Sequence, residues 1–202
     1  MKKIQAFTKD DFRIVSKTPL YKGFFTLNKY CLQHRKFDGG WTDTIEREIF
    51  ERGHAVAVLP YDPVRQEFVM IEQFRVGALE AEQPWLLEIV AGMIDEGETP
   101  EQVCEREAQE EAGLAIQRLI PIMNYFPSPG GCTEKLHLYF AIVDASNAEG
   151  IYGLASENED ILVHTVPEKT ALDWLNEGRY ENSATIIGLQ WFALNRDKLD
   201  SL

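Results

Sequence analysis

Three glutamates lie one helical turn apart in a segment with the pattern of an amphipathic helix. At roughly 100° per residue, Glu107, Glu110 and Glu111 share one arc of that helix, with the apolar Val103 inside the arc and Ala108 beside it. A glutamate-rich helix is ordinarily a solvated surface, but here apolar residues occupy the same side. Like charges at this spacing destabilise a helix by about 0.2–0.5 kcal/mol per pair. The arrangement therefore needs a positive partner.

A hard divalent cation is the partner that this chemistry favours. Mg²⁺ binds through a few carboxylates together with waters and substrate phosphates. Glu107 and Glu111 could hold one or more such ions, with Mn²⁺ as an alternative metal, and Glu98 in the preceding loop can add an oxygen or orient a ligand. Arg106 is expected to brace the loop or a neighbouring carboxylate, because a guanidinium cannot ligate a metal.

The helix that positions these carboxylates has local start and stop signals. Thr99 and Pro100 form a typical helix beginning, and Gly113 is suited to the position just past the end, so we predict a helix over Pro100–Ala112. Before it, the apolar runs His54–Leu59 and Glu67–Phe74 predict neighbouring strands of a buried sheet. Residues 60–66 are expected to connect these two strands.

The remaining pattern is that of an α/β protein. Residues 12 to about 52 are predicted to form short strands with a turn at Asp38–Gly40, and Leu136–Val143 and Ile161–Val166 to form two further strands. Two amphipathic helices are predicted over Glu168–Asn176 and Ala184–Asn195. Residues 147–160 form a long connection, which makes them a candidate active-site loop.

Composition excludes several classes of protein. The 202 residues are 45% hydrophobic and 26% charged, enough for a folded core, and the net charge of −13 argues against nucleic acid as a partner. The three cysteines have no pairing or zinc-site spacing, which is typical of the reducing cytoplasm. There is no apolar run of the roughly 18 residues that a membrane span needs, and the charged start does not resemble a signal peptide. We therefore expect a soluble cytoplasmic protein with no membrane partner.

The acidic segment resembles the Nudix box. All of the fixed positions of that box are occupied, by Gly92, Glu98, Arg106, Glu107, Glu110, Glu111 and Gly113, while Ala108 departs from the larger aliphatic residue usual at its position. Over nearly the whole chain the sequence most resembles the bacterial ADP-ribose (ADP-sugar) pyrophosphatases of the Nudix hydrolase family. Such enzymes hydrolyse a small nucleotide sugar, ADP-ribose, to AMP and ribose 5-phosphate with Mg²⁺.

The resemblance also implies an architecture. The expected fold is an α/β/α sandwich with a mixed sheet, preceded by a small N-terminal β-rich region. Residues 1–52 would form a dimerisation region that is exchanged across a homodimer, and residues 53–202 would form the hydrolase domain.

Catalytic roles follow from the resemblance position by position. The implied metal ligands are the backbone carbonyl of Ala91 and the side chains of Glu107, Glu111 and Glu159, with Glu98 in support. Glu157 is the implied general base, and Glu110 and Arg106 complete the catalytic set. The assignments of Glu157 and Glu159 could be exchanged, because both lie in the same acidic stretch of the candidate loop.

The implied substrate contacts are spread along the chain. They comprise Phe24, Phe25, Arg47, Glu48, Arg52, Arg75, Met93, Ser128, Pro129, Gly130 and Glu134. A guanidinium can hydrogen-bond phosphate or stack on adenine. The alternative for the three arginines is an ion pair with Glu46, Glu48, Glu51 or Glu72, and the alternative for the two phenylalanines is an ordinary core position.

Three other functions are weighed against this one. A Nudix enzyme that hydrolyses GDP-mannose or another nucleotide sugar would carry the same box, because the box concerns the metal chemistry and not the base. A non-catalytic nucleotide-binding regulator would tolerate loss of the box glutamates, yet all three remain. A calcium-binding structural protein is disfavoured, since the Asp-rich twelve-residue loop of an EF-hand is absent.

Overall fold

The computed structural model of the chain describes Ile4 and residues 7–201. The charged start on which we based the absence of a signal peptide lies mostly outside these residues. The chain divides into two compact units, residues 1–53 with 126–134 and residues 54–125 with 135–202, and each is described by itself. The predicted domain boundary between residues 52 and 53, and the dimerisation role of the first segment, stay predictions.

The first unit is built on a three-stranded antiparallel sheet in the order β1-β2-β3. The strands are β1 (Phe12–Lys22), β2 (Thr26–His34) and β3 (Ile45–Glu51), and a short 3₁₀ turn over Lys9–Asp11 precedes them. The predicted turn at Asp38–Gly40 is present between β2 and β3. Gly39 and Gly40 have φ angles of 101° and 73°, a backbone conformation that glycine adopts without steric cost.

The second unit contains an eight-stranded mixed sheet. Its strands are β4 (Ala55–Asp62), β5 (Glu67–Phe74), β6 (Trp85–Glu88), β7 (Val90–Met93), β8 (Arg118–Tyr125), β9 (Leu136–Ile142), β10 (Gly150–Tyr152) and β11 (Ile161–Pro167). The main path runs β10-β11-β5-β4-β9-β8, while β6 pairs with β5 and β7 pairs with β4. β4 and β9 are parallel and the other pairs are antiparallel, so the sheet is mixed as predicted.

Helices cover both faces of this sheet. They are α1 (Pro100–Ala112), α2 (Glu168–Asn176) and α3 (Ser183–Asn195), with short 3₁₀ turns over Val76–Ala78, Ala155–Glu157 and Arg196–Ser201. One core cluster packs α1 on Val69 and Ile71 of β5, and the other packs α2 and α3 on Phe68 and Met70 of the same strand. Successive side chains of a strand point to opposite faces. The predicted α/β/α sandwich is therefore confirmed.

Helix α1 has the predicted bounds, because its ends are set locally. The Thr99 hydroxyl accepts the N–H of Gln102, and the Gln102 side chain accepts the N–H of Thr99 in return, which is a capping box. Gly113 ends the helix with a φ of 64°, where a residue with a Cβ would also overlap the ring of Tyr152.

Strands β4 and β5 diverge, and this split determines what faces α1. They pair only at Tyr61 with Phe68 and at Asp62 with Glu67. Beyond those pairs, β6 continues beside β5 and β7 continues beside β4. Ile89 connects β6, beside β5, to β7, beside β4. The residues next to Ile89 therefore lie where the sheet divides.

Five strand assignments differ from the sequence prediction, and two of them are β6 and β7, which were not predicted. β4 continues through Pro60 to Asp62, residues that we had placed in the connection, because β4 pairs with β9 as far as Tyr61. β8 was not predicted; it is an edge strand, where Pro121 is tolerated beside a bulge. The short β10 lies within the predicted connection over residues 147–160.

Two further expectations concern the whole chain. No helix in the described part of the chain is long and apolar enough to cross a membrane. Cys31, Cys104 and Cys132 are all free thiols.

Candidate active site

Glu111 is a buried carboxylate on the core-facing side of α1. It is 3% exposed, and its Oε2 accepts the backbone N–H of Ala91 at 2.9 Å. Burial raises its pKa to about 8, an effect that the Ala91 hydrogen bond opposes and the charges of Glu107 and Glu159 reinforce. The charge of Arg75 lowers this pKa.

Glu107 lies one turn earlier and packs against the backbone of β7. Burial is again the main cause that raises its pKa, to about 7, while Arg106 opposes the shift and Glu110 and Glu159 add to it. A Cβ at Gly92 would overlap the Glu107 carboxylate. Gly92 therefore provides the space that the carboxylate occupies.

Arg106 joins the acidic groups of the box. Its Nε and Nη2 donate to Glu98 at 3.0 and 3.1 Å, and its Nη1 donates to Glu107 at 2.7 Å and to Glu110 at 3.1 Å. Nη2 also donates to the Met93 carbonyl at 3.2 Å. Although a helical wheel places Arg106 on the more polar side, its long side chain folds back across the carboxylates. The expected bracing role agrees with this geometry.

The loop before α1 is fixed by the same arginine. The Glu98 carboxylate accepts two bonds from Arg106 and the N–H of Asp95 at 3.1 Å. These bonds hold the pKa of Glu98 below its usual range. Glu98 is thus ionised and oriented by Arg106, which suits the supporting role predicted for it.

The candidate loop brings a further carboxylate towards α1. The Gly153 N–H donates to the Glu110 carbonyl at 3.2 Å, so the loop is attached to the helix backbone. Glu159 accepts the N–H of Leu154 at 3.1 Å, and its charge raises the pKa of both Glu107 and Glu111. Glu157 is exposed at the end of the short 3₁₀ turn before it.

The donors on this face suit a hard divalent cation. Glu107, Glu111 and Glu159 all supply oxygens, and burial of like charges is the condition that a bound cation relieves. Among the residues that the structure describes, no group of three or more His, Cys, Asp or Glu side chains is arranged to hold an ion as it stands. One Glu107 oxygen is instead bonded to Arg106.

The first unit brings together four of the predicted substrate residues. The Arg52 guanidinium lies 5.4 Å from the centre of the Phe25 ring, and its Nε lies 3.4 Å from Glu134 Oε1. That Nε is buried and has no aligned hydrogen-bond partner among the described residues. Phe24 packs edge-on against Phe25 and is otherwise 90% exposed, so it is not a core residue.

The other predicted residues of this unit lie on β3 and on the segment beside it. Arg47 and Glu48 are exposed on β3, and Arg47 donates to the Glu46 carbonyl at 2.7 Å. The segment that begins with Ser128, Pro129 and Gly130 is held to β3 by the Phe50 N–H, which donates to the Gly131 carbonyl at 2.8 Å.

In the second unit, Arg75 makes an ion pair that the sequence analysis missed. Its Nε donates to Glu88 at 2.6 Å, so the partner is none of the four glutamates considered for the arginines. Arg52 likewise lies against Glu134 and not against one of those four. The sequence feature that could have indicated this ion pair is the position of Glu88, the one acidic residue inside the apolar run Leu86–Val90. An isolated charge in such a run needs a buried partner.

A cavity of about 650 Å³ opens elsewhere in the second unit. Its lining includes Trp85, His164, Trp174 and Tyr180, together with Glu72 of β5. Glu72 alternates with Ile71 along β5 and so points to the face of the sheet opposite α1. This cavity is therefore separate from the carboxylates of the candidate active site.

Comparison with known proteins identifies the family. The sequence profile of the NUDIX domain matches residues 51–194, and the chain belongs to that family. The chain is 50% identical over 194 residues to the ADP-ribose pyrophosphatase of Escherichia coli strain K12, a match that covers 96% of this chain and 93% of that protein. It is 43% identical over 203 residues to the ADP-ribose pyrophosphatase of Haemophilus influenzae, with coverages of 98% and 94%.

Two other similarities are more distant. The GDP-mannose pyrophosphatase of Pectobacterium atrosepticum is 34% identical over 188 residues, covering 89% of this chain and 96% of that protein. A crystal structure of an ADP compounds hydrolase superimposes with a TM-score of 0.71 at 19% identity and covers 97% of this chain and 98% of that chain, which shows the shared fold. The resemblance to Nudix hydrolases, which generally use divalent metal ions, is thus confirmed.

Replacing Gly92 with alanine tests whether the Glu107 carboxylate must lie against β7. We expect divalent-metal affinity to fall by about 10- to 100-fold, because the added Cβ displaces a carboxylate of the site. Electron paramagnetic resonance of a Mn²⁺ titration measures the affinity. The matched control is Gly77→Ala, where a Cβ meets nothing and φ is ordinary. Equal affinities for the two variants would show that the position of Glu107 is unimportant.

Proposed function

We propose that the chain is an ADP-ribose pyrophosphatase, a hydrolase that cleaves the pyrophosphate bond of ADP-ribose to give AMP and ribose 5-phosphate. The observation that carries this is the complete NUDIX box, with Glu107 and Glu111 packed between α1 and β7. The substrate follows from relatives named for ADP-ribose that are 50% and 43% identical over nearly the whole chain.

The proposed metal is Mg²⁺, with Mn²⁺ as a substitute. Glu107, Glu111, Glu159 and the carbonyl of Ala91 would hold it, with Glu98 in support. When bound, the ion neutralises the pyrophosphate and lowers the pKa of a water. The raised pKa values of Glu107 and Glu111 support this, since a positive charge is needed to keep two buried carboxylates ionised together.

The residues of the chain orient one another and move the proton. Arg106 donates hydrogen bonds to both Glu107 and Glu110, and its positive charge offsets the repulsion between the two carboxylates. Glu157 acts as the general base that takes a proton from the attacking water, which then forms a bond to phosphorus as the bond to the leaving phosphate oxygen breaks. The exposed position of Glu157 leaves it accessible to water.

The order of the two loop glutamates has support in the geometry. Glu159 is oriented by the Leu154 N–H, and its charge acts on both Glu107 and Glu111. A ligand must share the ion with those two carboxylates, whereas a base must meet the attacking water. We therefore keep Glu159 as the ligand and Glu157 as the base.

Substrate recognition is assigned to residues in both units. In the first unit they are Phe24, Phe25, Arg47, Glu48, Arg52, Ser128, Pro129, Gly130 and Glu134, and in the second unit they are Arg75 and Met93. The Arg52 guanidinium beside the Phe25 ring supports this assignment, because a guanidinium can hydrogen-bond phosphate and stack on an aromatic ring.

We further propose a homodimer in which residues 1–52 are exchanged between subunits. Every residue of β1 is exposed, among them Ile14, Val15, Leu20 and Tyr21. Several large apolar side chains exposed on one strand commonly mark an interaction site. The compartment proposed for this assembly is the cytoplasm, where the three free thiols stay reduced.

The second candidate is GDP-mannose hydrolysis by the same metal site. It is favoured by the relative that is 34% identical, and disfavoured by the higher identity of the ADP-ribose enzymes. A non-catalytic regulator is the weakest alternative, because the box glutamates are complete and braced.

Turnover of a panel of nucleotide sugars tests the proposed reaction. We expect wild-type protein with Mg²⁺ to convert ADP-ribose to AMP and ribose 5-phosphate, identified by chromatography, with a higher kcat/KM than for GDP-mannose. Glu111→Gln should lower kcat/KM at least 100-fold, because it removes a proposed ligand. Glu105→Gln, on the exposed side of the same helix, is the matched control. Faster cleavage of GDP-mannose would contradict the assigned substrate, and tight binding without turnover would favour a regulator.

Glu157→Gln and Glu159→Gln separate the base from the ligand. Loss of a general base lowers kcat by about 10²–10⁴-fold while metal affinity is retained. Loss of a ligand weakens metal affinity itself, which a Mn²⁺ titration measures. We expect the first result for Glu157→Gln and the second for Glu159→Gln, and the reverse pattern would exchange their roles.

The oligomeric state tests the exposed strand. Sedimentation of the wild-type protein is expected to give twice the mass of one chain, and the double variant Ile14→Asp/Leu20→Asp should sediment as one chain, because charges would be buried at an apolar interface. The control is Val64→Asp/Leu194→Asp, which adds the same charges at exposed positions of the second unit. A wild-type monomer, or a β1 variant that remains dimeric, would exclude this interface.

A further inference from the structure

Glu88 is a buried carboxylate that connects Arg75 to the beginning of α3. It is 3% exposed, and its two oxygens have different partners. Oε2 accepts the Nε–H of Arg75 at 2.6 Å, and Oε1 accepts the side-chain amide of Asn182 at 2.5 Å. Both oxygens are thereby hydrogen-bonded, as a buried charge requires.

Asn182 is itself held in place by α3. It is the residue that caps the helix, and its Oδ1 accepts the N–H of Thr185 at 3.1 Å. The Thr185 hydroxyl in turn accepts the N–H of Ile89, which directly follows Glu88, at 3.2 Å. The carboxylate therefore lies in a rigid setting between the split of the sheet and the helix.

Arg75, in contrast, is only partly enclosed. Its side chain is 38% exposed, so solvent or a ligand can still reach the guanidinium. The bond to Glu88 uses the Nε–H, and a guanidinium has four further N–H donors on its two Nη atoms. Glu88 pairs across the sheet with Ile71, which packs against α1, and it lies three residues before Ala91, whose N–H donates to Glu111. The bond to Glu88 therefore holds Arg75 on the part of the sheet that leads to the acidic face of α1.

A charged side chain held at one donor and accessible at the others is suited to anion recognition. A free arginine side chain loses much conformational entropy when it binds, and a fixed one loses less. Burial of the Glu88–Arg75 pair for stability alone would be weakly favourable at best, because desolvation offsets the attraction.

We propose that Glu88 is a positioning residue that holds the Arg75 guanidinium beside α1 so that its Nη donors meet the diphosphate of the substrate. Asn182 fixes the Glu88 carboxylate from the other side. The inference rests on the proposed function only in taking a nucleoside diphosphate sugar as substrate.

A double-mutant cycle on Glu88 and Arg75 tests this role. Glu88→Gln should raise KM about tenfold and change kcat less than threefold, because an interaction present in both the bound substrate and the transition state is weakened. Arg75→Gln should raise KM further. In the double variant, Glu88→Gln should have almost no additional effect, since Glu88 acts through Arg75. The control is Glu72→Gln, which lies three residues before Arg75 and pairs with His164 on the opposite face of the sheet.

The outcomes separate positioning from a structural role. Fully additive effects in the cycle, or a KM unchanged in Glu88→Gln, would overturn the inference. If Glu88→Gln does not fold, Asn182→Ser replaces it, because serine keeps a helix cap but cannot donate the amide hydrogen bond to Glu88. That variant should raise KM about threefold in the wild-type background and leave it unchanged beside Arg75→Gln. An equal rise in both backgrounds would contradict the inference.

Failure of the proposed function would be visible separately. The cycle is measured with whichever nucleotide sugar the wild-type protein hydrolyses best, so a preference for GDP-mannose changes the substrate and leaves the test of Glu88 intact. If the wild-type protein hydrolyses none, calorimetric affinity for ADP-ribose replaces KM in the same cycle.

Discussion

The burial of negative charge on α1 is the constraint on which the site depends. Glu111 lies in the core-facing surface of the helix, where an uncompensated carboxylate is costly. Its compensation comes from the Ala91 N–H, and the neighbouring glutamates are compensated by Arg106, whose guanidinium is shared among Glu98, Glu107 and Glu110. Because these contacts use fixed backbone and a planar donor group, they restrict the orientations that the carboxylates can take.

The divergence of β4 and β5 is what makes that compensation possible. A continuous pairing of the two strands would leave no room for β6 and β7, and the backbone of Ala91 could not face the helix. With the split, one short segment carries Glu88 towards the α3 cap and, three residues later, Ala91 towards Glu111. Gly92 then leaves space for Glu107. Both faces of the sheet are thus linked through residues 88–92.

Elements set by neighbouring residues were predictable from the sequence, and elements set by distant partners were not. The bounds of α1 follow from Thr99, Pro100 and Gly113, which all act within one turn of the helix ends. β8 and the end of β4 contain prolines and are strands because of pairing with β9, which no local pattern reveals. The acidic box was recognisable because its residues are close together in the sequence. The partner of Arg75 lies thirteen residues away on another strand, so it could be identified only from the structure.

The residues of the box and the residues around it would contact different parts of a nucleotide sugar. For this reason the sequence predicts the class of substrate more directly than it predicts the nucleobase. Relatives named for ADP-ribose and for GDP-mannose both align over most of the chain, and both substrates contain a pyrophosphate. In the proposed function, carboxylates with a cation would act on that shared group, as would a guanidinium that donates to phosphate oxygens. Neither can distinguish adenine from guanine. In the proposed function, selection of the base would therefore depend on contacts outside α1. The exposed aromatic Phe24 and the Phe25–Arg52–Glu134 cluster offer stacking surfaces and hydrogen-bonding groups for this.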